Sequence, residues 1–223
     1  MRHIDRLPIP QVLSRKQMEW QEKFEQKLAV NPRFRPDSSK YGHKEIRQQL
    51  KSCSFNKCFY CESKLSGVPR EIDHFIEVSI DPSLAYEWTN LYLSCSNCND
   101  KLDHNAIPVT DALNPCIDSD DEIQKHITFE TECICSQAGS KKGLNTIQKF
   151  KLDSEALDLK RSKWLNKIAK IVFEIDKQMH EENRTIHSCE EKNRIRKFMQ
   201  IDQPYSLMCE KYIRAYLSWA ISD

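Results

Sequence analysis

A doubled cysteine spacing constrains this chain more than any other feature. Cys58 and Cys61 form one Cys-x-x-Cys pair, and Cys95 and Cys98 form a second. Two such pairs suit a closed tetrahedral zinc site, in which four thiolates fill every position and the metal does no chemistry itself. Any fold must then bring two distant segments to within a few ångströms of each other. Ten cysteines would otherwise suggest disulfides. The opening MRHIDRLPIPQVLSRKQ lacks the apolar centre of a secretory signal, and no apolar run is long enough to span a membrane. The expectation is a cytoplasmic chain with reduced, metal-binding thiols and no membrane contact.

Between the pairs lie groups suited to phosphodiester hydrolysis, which needs a base for water, a cation on the scissile phosphate and a stabilised leaving oxygen. His74, in the Ile72-Asp73-His74-Phe75 segment, offers an imidazole whose ordinary pKa suits general-base work. Asp73 offers the hard oxygen that Mg²⁺ prefers. Adjacent strand positions face opposite ways, so a distorted or looped backbone is expected if both are to converge. Asn90 is placed to hold the turn and orient His74. Asn99, directly after Cys98, is placed to aim a carboxamide at the same cation.

Net charge is only +1, but it is unevenly spread. Residues 1–70 carry 15 Lys/Arg against 7 Asp/Glu, residues 71–138 carry 2 against 14, and residues 139–223 carry 17 against 12. An acidic centre between basic flanks fits a cation site with phosphate-contacting walls. Arg33, Arg35, Lys40, Lys44, Arg47 and Lys51 are candidates for such a wall; solvated helix faces account for them equally well.

The pattern divides the chain into an N-terminal arm with helices (1–52), a zinc-bound core (53–110), an acidic loop and strand segment (111–152) and a C-terminal helical region (153–223). Ser14 and Gln17 make a capping-box pattern, and Trp20, Phe24 and Leu28 predict an amphipathic helix over 15–30. A short helix is expected over 42–51. A turn at Gly67 and Pro69 leads into a strand over 71–75, and 91–93 forms a second strand. A brief helix is expected between Lys101 and Pro108, and an acidic, turn-rich stretch over 111–122. One strand is expected over 126–135, with Ile127, Phe129, Thr131, Cys133 and Cys135 on one face, and then a loop over 136–143. Asp153 is a plausible cap for a long helix over 154–182, whose stripe of Leu157, Trp164, Ile168, Ile171, Ile175 and Met179 is a packing face. Two more helices are expected over 188–200 and 205–222. Cys53 is an alternative zinc ligand to Cys58, and His126, His180 and His187 are expected on solvent-facing surfaces without partners.

The order Asp73-His74, Asn90-Leu91 and Cys95-Ser-Asn-Cys98-Asn99, inside two zinc pairs, resembles the HNH endonucleases. That resemblance implies an α+β, mostly helical chain, with a zinc-stapled ββα-metal core flanked by N- and C-terminal helices. It implies His74 as general base, Asp73 and Asn99 as ligands of a catalytic Mg²⁺ or Mn²⁺ ion, Asn90 in support, and structural zinc on Cys58, Cys61, Cys95 and Cys98. Two positions depart from the family. Glu77 stands where Pro is usual, and Lys101 follows Asn99 by two residues rather than three, so Asp103 or His104 are substitutes for Asn99 as last ligand. Asn114-Pro115, Thr128-Phe129-Glu130, Thr146-Ile147, Leu152 and Arg161 look like one HNH subfamily, the nuclease partners beside ATPases in Septu-type anti-phage systems and some retrons. The resemblance implies a defence nuclease with an ABC-type ATPase subunit, and with a retron reverse transcriptase and its nucleic acid as a further partner. DNA ranks ahead of RNA as substrate by analogy alone. The alternative is a non-catalytic zinc-ribbon module that binds nucleic acid or a partner protein and has no use for Asp73 and His74.

Overall fold

The computed structural model describes residues 1–67 and 70–222; Pro69, one half of the expected turn, lies outside the described residues. Residues 1–10 are extended, yet Met1, Arg2 and Ile4 are buried. Helix α1 (Gln11–Val30) then covers the core with Leu13, Trp20 and Phe24. It begins earlier than its sequence pattern suggests. Pro10 is the cap residue, and the Ser14 N–H bonds to the Pro10 carbonyl at 3.0 Å, so Ser14 lies in the first turn rather than capping it. A single turn, α2 (Ser38–Tyr41), leads to α3 (Lys44–Cys53), which buries Ile46 and Leu50.

The centre is a ββα unit. Strand β1 (Glu71–His74) pairs antiparallel with β2 (Leu91–Ser94), in a register that sets Asp73 opposite Tyr92 and His74 opposite Leu91. Helix α4 (Ser96–Asn99) follows at once. The brief helix thus precedes Lys101 instead of following it. The segment after Lys101 is irregular, tied down by the Leu102 N–H to the Lys149 carbonyl at 2.9 Å.

The acidic stretch ends in α5 (Asp120–His126), capped by Ser119, with acids at its N-terminus and Lys125 and His126 at its C-terminus, as the helix dipole favours. The predicted single strand is a hairpin, β3 (Ile127–Glu130) and β4 (Cys133–Ser136), reversed at Thr131 with φ 54°. Its register pairs Phe129 with Ile134, and Thr128 with Cys135. Cys133 and Cys135 therefore lie on the face opposite Ile127 and Phe129. The predicted loop over 136–143 gives way to α6 (Lys141–Lys149), capped by Ser140. Gly143 is needed there, because a Cβ would stand 1.9 Å from the His126 carbonyl oxygen. His126 is itself partnered, by Ser140 Oγ at 2.7 Å and Glu122 at 3.0 Å.

The long α7 (Glu155–Glu181) begins after Ser154 rather than Asp153. It packs with α8 (Cys189–Arg196) and α9 (Ser206–Tyr216) round Ile168, Ile175, Ile195, Met208 and Ile213. His187 stacks on Trp219 with centroids 3.7 Å apart. The larger core joins α1, α3, the ββα unit and α6, and Leu157 and Leu207 from the C-terminal helices also sit in it. The chain is therefore α+β and mostly helical, with its only described sheets two small hairpins. No described helix is long and apolar enough to cross a membrane.

Candidate active site and zinc staple

The first cysteine pair sits on a tight knuckle. The Cys58 N–H donates to the Ser63 carbonyl at 2.9 Å, and Glu62 adopts φ 62° to turn the chain. The Phe59 N–H bonds to the Leu93 carbonyl at 2.9 Å, so the knuckle is docked on β2. The second pair flanks the first turn of α4. The four sulfur atoms all lie within 4.8 Å of one another, and all four residues are buried. Cys61 and Cys95 sulfurs are 3.7 Å apart, against an edge of about 3.8 Å for a tetrahedron with the usual Zn–S length. These residues fit zinc. Cys53 stands outside the cluster, where its sulfur accepts from the Leu7 N–H at 3.4 Å.

The knuckle is also fastened to the C-terminal helices. Glu62 accepts from Ser206 N–H at 2.9 Å and Ser206 Oγ at 2.8 Å, and Tyr205 Oη lies 3.0 Å from Ser63 Oγ. Burial pushes the Glu62 carboxyl up, but the neighbouring amine, Lys57 and Arg2 outweigh it and hold the group at about 2.

One face of the ββα unit opens into a cleft lined by Asp73, His74, Asn99, Lys101 and Asp103, with Arg35 at its edge. Asp73 and His74 both line it, although they are neighbours on β1 and no residue of that strand is left-handed. His74 Nε2 lies 2.8 Å from the Ala85 carbonyl oxygen. A carbonyl can only accept, so Nε2 carries the proton, and in neutral imidazole Nδ1 keeps a free lone pair. The Tyr41 ring packs edge-on against the imidazole at 4.9 Å. Burial holds His74 below its ordinary pKa, which favours the neutral form.

Asp73 is buried. Its Oδ2 accepts from Tyr60 Oη at 2.6 Å and Lys101 Nζ at 2.9 Å. Lys101 donates further to the carbonyls of His74 and Phe75, the latter at 3.0 Å. Burial raises the Asp73 carboxyl, against the opposing pull of Lys101 and Tyr60. Asp73 Oδ1 makes no hydrogen bond among the described residues. Asn99 Nδ2 donates to the Glu71 carboxylate. That bond fixes the orientation of the amide, leaving Oδ1 with only a long 3.4 Å contact from Ser94 Oγ. One carboxylate and one carboxamide oxygen are thus spare, the hard donor set that suits Mg²⁺ or Mn²⁺.

Asn90 lies away from the cleft lining, buried beneath the loop between the strands. Its Oδ1 accepts from the Ile76 N–H at 2.8 Å, and its Nδ2 donates to the carbonyls of Ile76 and Leu84 at 3.0 and 3.3 Å. It therefore shapes the loop that carries Ala85, and through Ala85 it bears on His74. Asp103 reaches the cleft although its Oδ1 also accepts from the Ala106 N–H at 2.9 Å, while His104 does not line it.

Residues 58–105 match the family model described as HNH endonuclease. This segment is an HNH endonuclease domain. The chain is similar to the Septu protein PtuB of Bacillus thuringiensis, 31% identical over a stretch covering 44% of this chain and 37% of that protein. It is also similar to the Septu protein PtuB of Bacillus mycoides, 29% identical over 55% of this chain and 52% of that protein. The chain thus spans about half or less of the length of these curated relatives. Within the HNH domain, sequence reasoning missed Tyr60 as the hydroxyl donor to Asp73 and Lys101 as its counter-cation. Tyr60 could have been suspected from its place between the first two cysteines; nothing local marks the reach of Lys101.

Proposed function

We propose that the chain is a metal-dependent endonuclease that hydrolyses phosphodiester bonds of nucleic acid, with His74 as general base. The observation that carries this reading is the Nε2 contact to the Ala85 carbonyl, which leaves Nδ1 of a neutral imidazole available in a cleft beside Asp73. His74 takes the proton from the attacking water at Nδ1, and the Ala85 carbonyl supports the positive charge that develops on the ring. Asp73 and Asn99 would hold the divalent ion, which when bound supplies the positive charge that polarises the phosphate and steadies the leaving oxygen. Tyr60 and Lys101 keep the Asp73 carboxylate fixed, and Asn90 keeps the Ala85 loop in place. The four cysteines hold a zinc ion that staples the domain and takes no part in the reaction.

The similarity to Septu proteins supports a role in anti-phage defence; an ABC-type ATPase partner and a cytoplasmic setting are parts of the same proposal. A retron reverse transcriptase is a further candidate partner. DNA ranks ahead of RNA because the HNH fold usually acts on DNA. The test compares wild type and His74→Ala on plasmid DNA and on RNA, with Mg²⁺ or Mn²⁺, and measures zinc in both proteins. The expected result is loss of cutting by about 10²-fold or more with the zinc content unchanged. Equal cutting by the two proteins would sink the assignment. If neither cuts, with or without the ATPase subunit, the zinc-ribbon binding module is the better description.

A further inference from the structure

Several charged groups that line the active-site cleft already have partners. Glu77 pairs with Lys149, and Lys101 is consumed by Asp73 and two carbonyls. Arg35 is different: it lines the cleft together with Asp73 and His74, and its exposed guanidinium makes no hydrogen bond or ion pair among the described residues. Arg35 and Val78 also line a second hollow, which continues over Arg33, Phe34 and the C-terminal half of α1. A third hollow shares Phe24 and Phe34 with the second and is lined by Lys23, Lys27 and Lys40.

The segment that carries the two arginines is held firmly. The Phe34 N–H bonds to the Asn31 carbonyl at 2.8 Å, Asn31 Oδ1 accepts from the Arg33 N–H at 3.1 Å, and the Asp37 N–H bonds to Tyr86 Oη at 3.0 Å. The Phe34 ring packs against Phe24 at 6.2 Å and lies under Lys27 Nζ at 5.2 Å. Phe34 is thus the inward anchor, and the residues on either side of it are left to solvent. Nearby basic residues have other work: Arg47 donates to the carbonyls of Gly42 and Arg70 at 2.8 and 3.1 Å. An exposed arginine pair on a fixed loop, with no partner for either guanidinium among the described residues and with Arg35 lining the cleft, has the chemistry of a phosphate clamp.

We infer that residues 32–35 form a phosphate track leading out of the cleft, and this rests on the cleft being a phosphodiesterase site. A nucleic-acid strand seated at His74 leaves over this loop toward the C-terminal end of α1. Arg35 grips a phosphate next to the scissile one, and Arg33 grips the phosphate beyond it. The contacts are to the backbone and carry no sequence information.

The test uses the full chain in a His74→Ala background, so that substrate survives, with fixed Mg²⁺. Binding of a labelled duplex and of a single strand is measured by anisotropy across NaCl concentrations. Each lost phosphate contact lowers the salt slope by about 0.9 on duplex DNA, which is roughly eightfold in affinity at 0.1 M salt. Arg35→Ala should show one such step and Arg33→Ala/Arg35→Ala two, whereas Arg35→Lys should keep the slope. Lys170→Ala on α7, which lines none of these hollows, should change neither. Melting temperatures and zinc content should match the parent, since neither guanidinium has a partner to lose among the described residues. An unchanged slope in the double variant, with cutting still dependent on His74, would overturn the track and leave the nuclease assignment standing. A protein that neither binds with a salt-dependent affinity nor cuts would overturn both.

Discussion

Glu77 and Lys149 form an ion pair whose two halves are unequally buried, and that inequality yields a quantitative prediction. Lys149 Nζ lies 2.6 Å from Glu77 Oε1, with the lysine side chain 0% exposed and the glutamate 18% exposed. Among the described residues, the ammonium has no other hydrogen-bond partner. Removing the anion by Glu77→Ala leaves a fully buried cation unpaired, which costs about 3–5 kcal/mol. Removing the cation by Lys149→Met keeps most of the stem volume and leaves a carboxylate that is only partly buried, its Oε2 enclosed but its side chain 18% exposed, so about 1–2 kcal/mol is expected. For a chain of this size each kcal/mol moves the melting temperature by about 2–4 °C. The expected losses are therefore roughly 6–20 °C for Glu77→Ala and roughly 2–8 °C for Lys149→Met. The double variant should lose less than the sum, because neither charge is then stranded. The assay is thermal unfolding of zinc-saturated protein by near-UV circular dichroism, completed as a double-mutant cycle. Equal losses from the two single variants, or strict additivity, would refute the reasoning. Because Glu77 stands where the family usually has Pro, the same cycle tests whether this chain has replaced a stiff turn with an ion pair.

Three other perturbations have expected outcomes. Cys58→Ser should abolish stoichiometric zinc by metal analysis and unfold the ββα unit, since structural zinc contributes folding energy directly. Tyr60→Phe removes the hydroxyl donor 2.6 Å from the buried Asp73 carboxylate; a loss of about 1.5–3 kcal/mol in urea unfolding is expected, and a change under 0.5 kcal/mol would show that water replaces the hydroxyl. Gly143→Ala should fail to fold or lose several kcal/mol, because its Cβ would meet the His126 carbonyl at 1.9 Å; a wild-type melting temperature would rule out the close approach of α6 to the end of α5.

The readable parts of this protein share one property: their constraints act over a few residues. Cysteines three apart can share one metal through a tight turn, and the pairs at 58/61 and 95/98 do converge. The α7 stripe repeats over about six turns and fixes the helix and most of its buried face, to which Arg161 and Leu165 are added while Trp164 and Ile171 are half-buried. Helix α8 begins directly after the expected Ser188, where a reciprocal capping box forms with Glu191, whereas the box read at Ser14 and Gln17 does not form. The stretch 111–143 was misread because short-range signals compete in it. Its acids look like turn formers until Ser119 caps them into α5, and its alternation looks like one strand until Thr131 reverses the chain. Helix α6 was hidden because Gly143 weakens the local helical signal, and its reason for being there is the carbonyl of His126.

By itself the sequence determined the two cysteine pairs suited to one metal, the Asp-His pair between them and the amphipathic helices, because each follows from spacing along one short segment. Only the tertiary structure decided which side chains meet across the cleft. It brought Lys101 onto Asp73, 28 positions away, and it turned His74 Nε2 onto the carbonyl of Ala85. It also paired Lys149 with Glu77, 72 positions away, and set Arg35 in the lining of the cleft with no partner among the described residues. The physical reason is that a charge chooses its partner by distance and burial in the packed chain. Neither quantity exists until distant segments have docked, so residue type and spacing could name these groups but not assign their work.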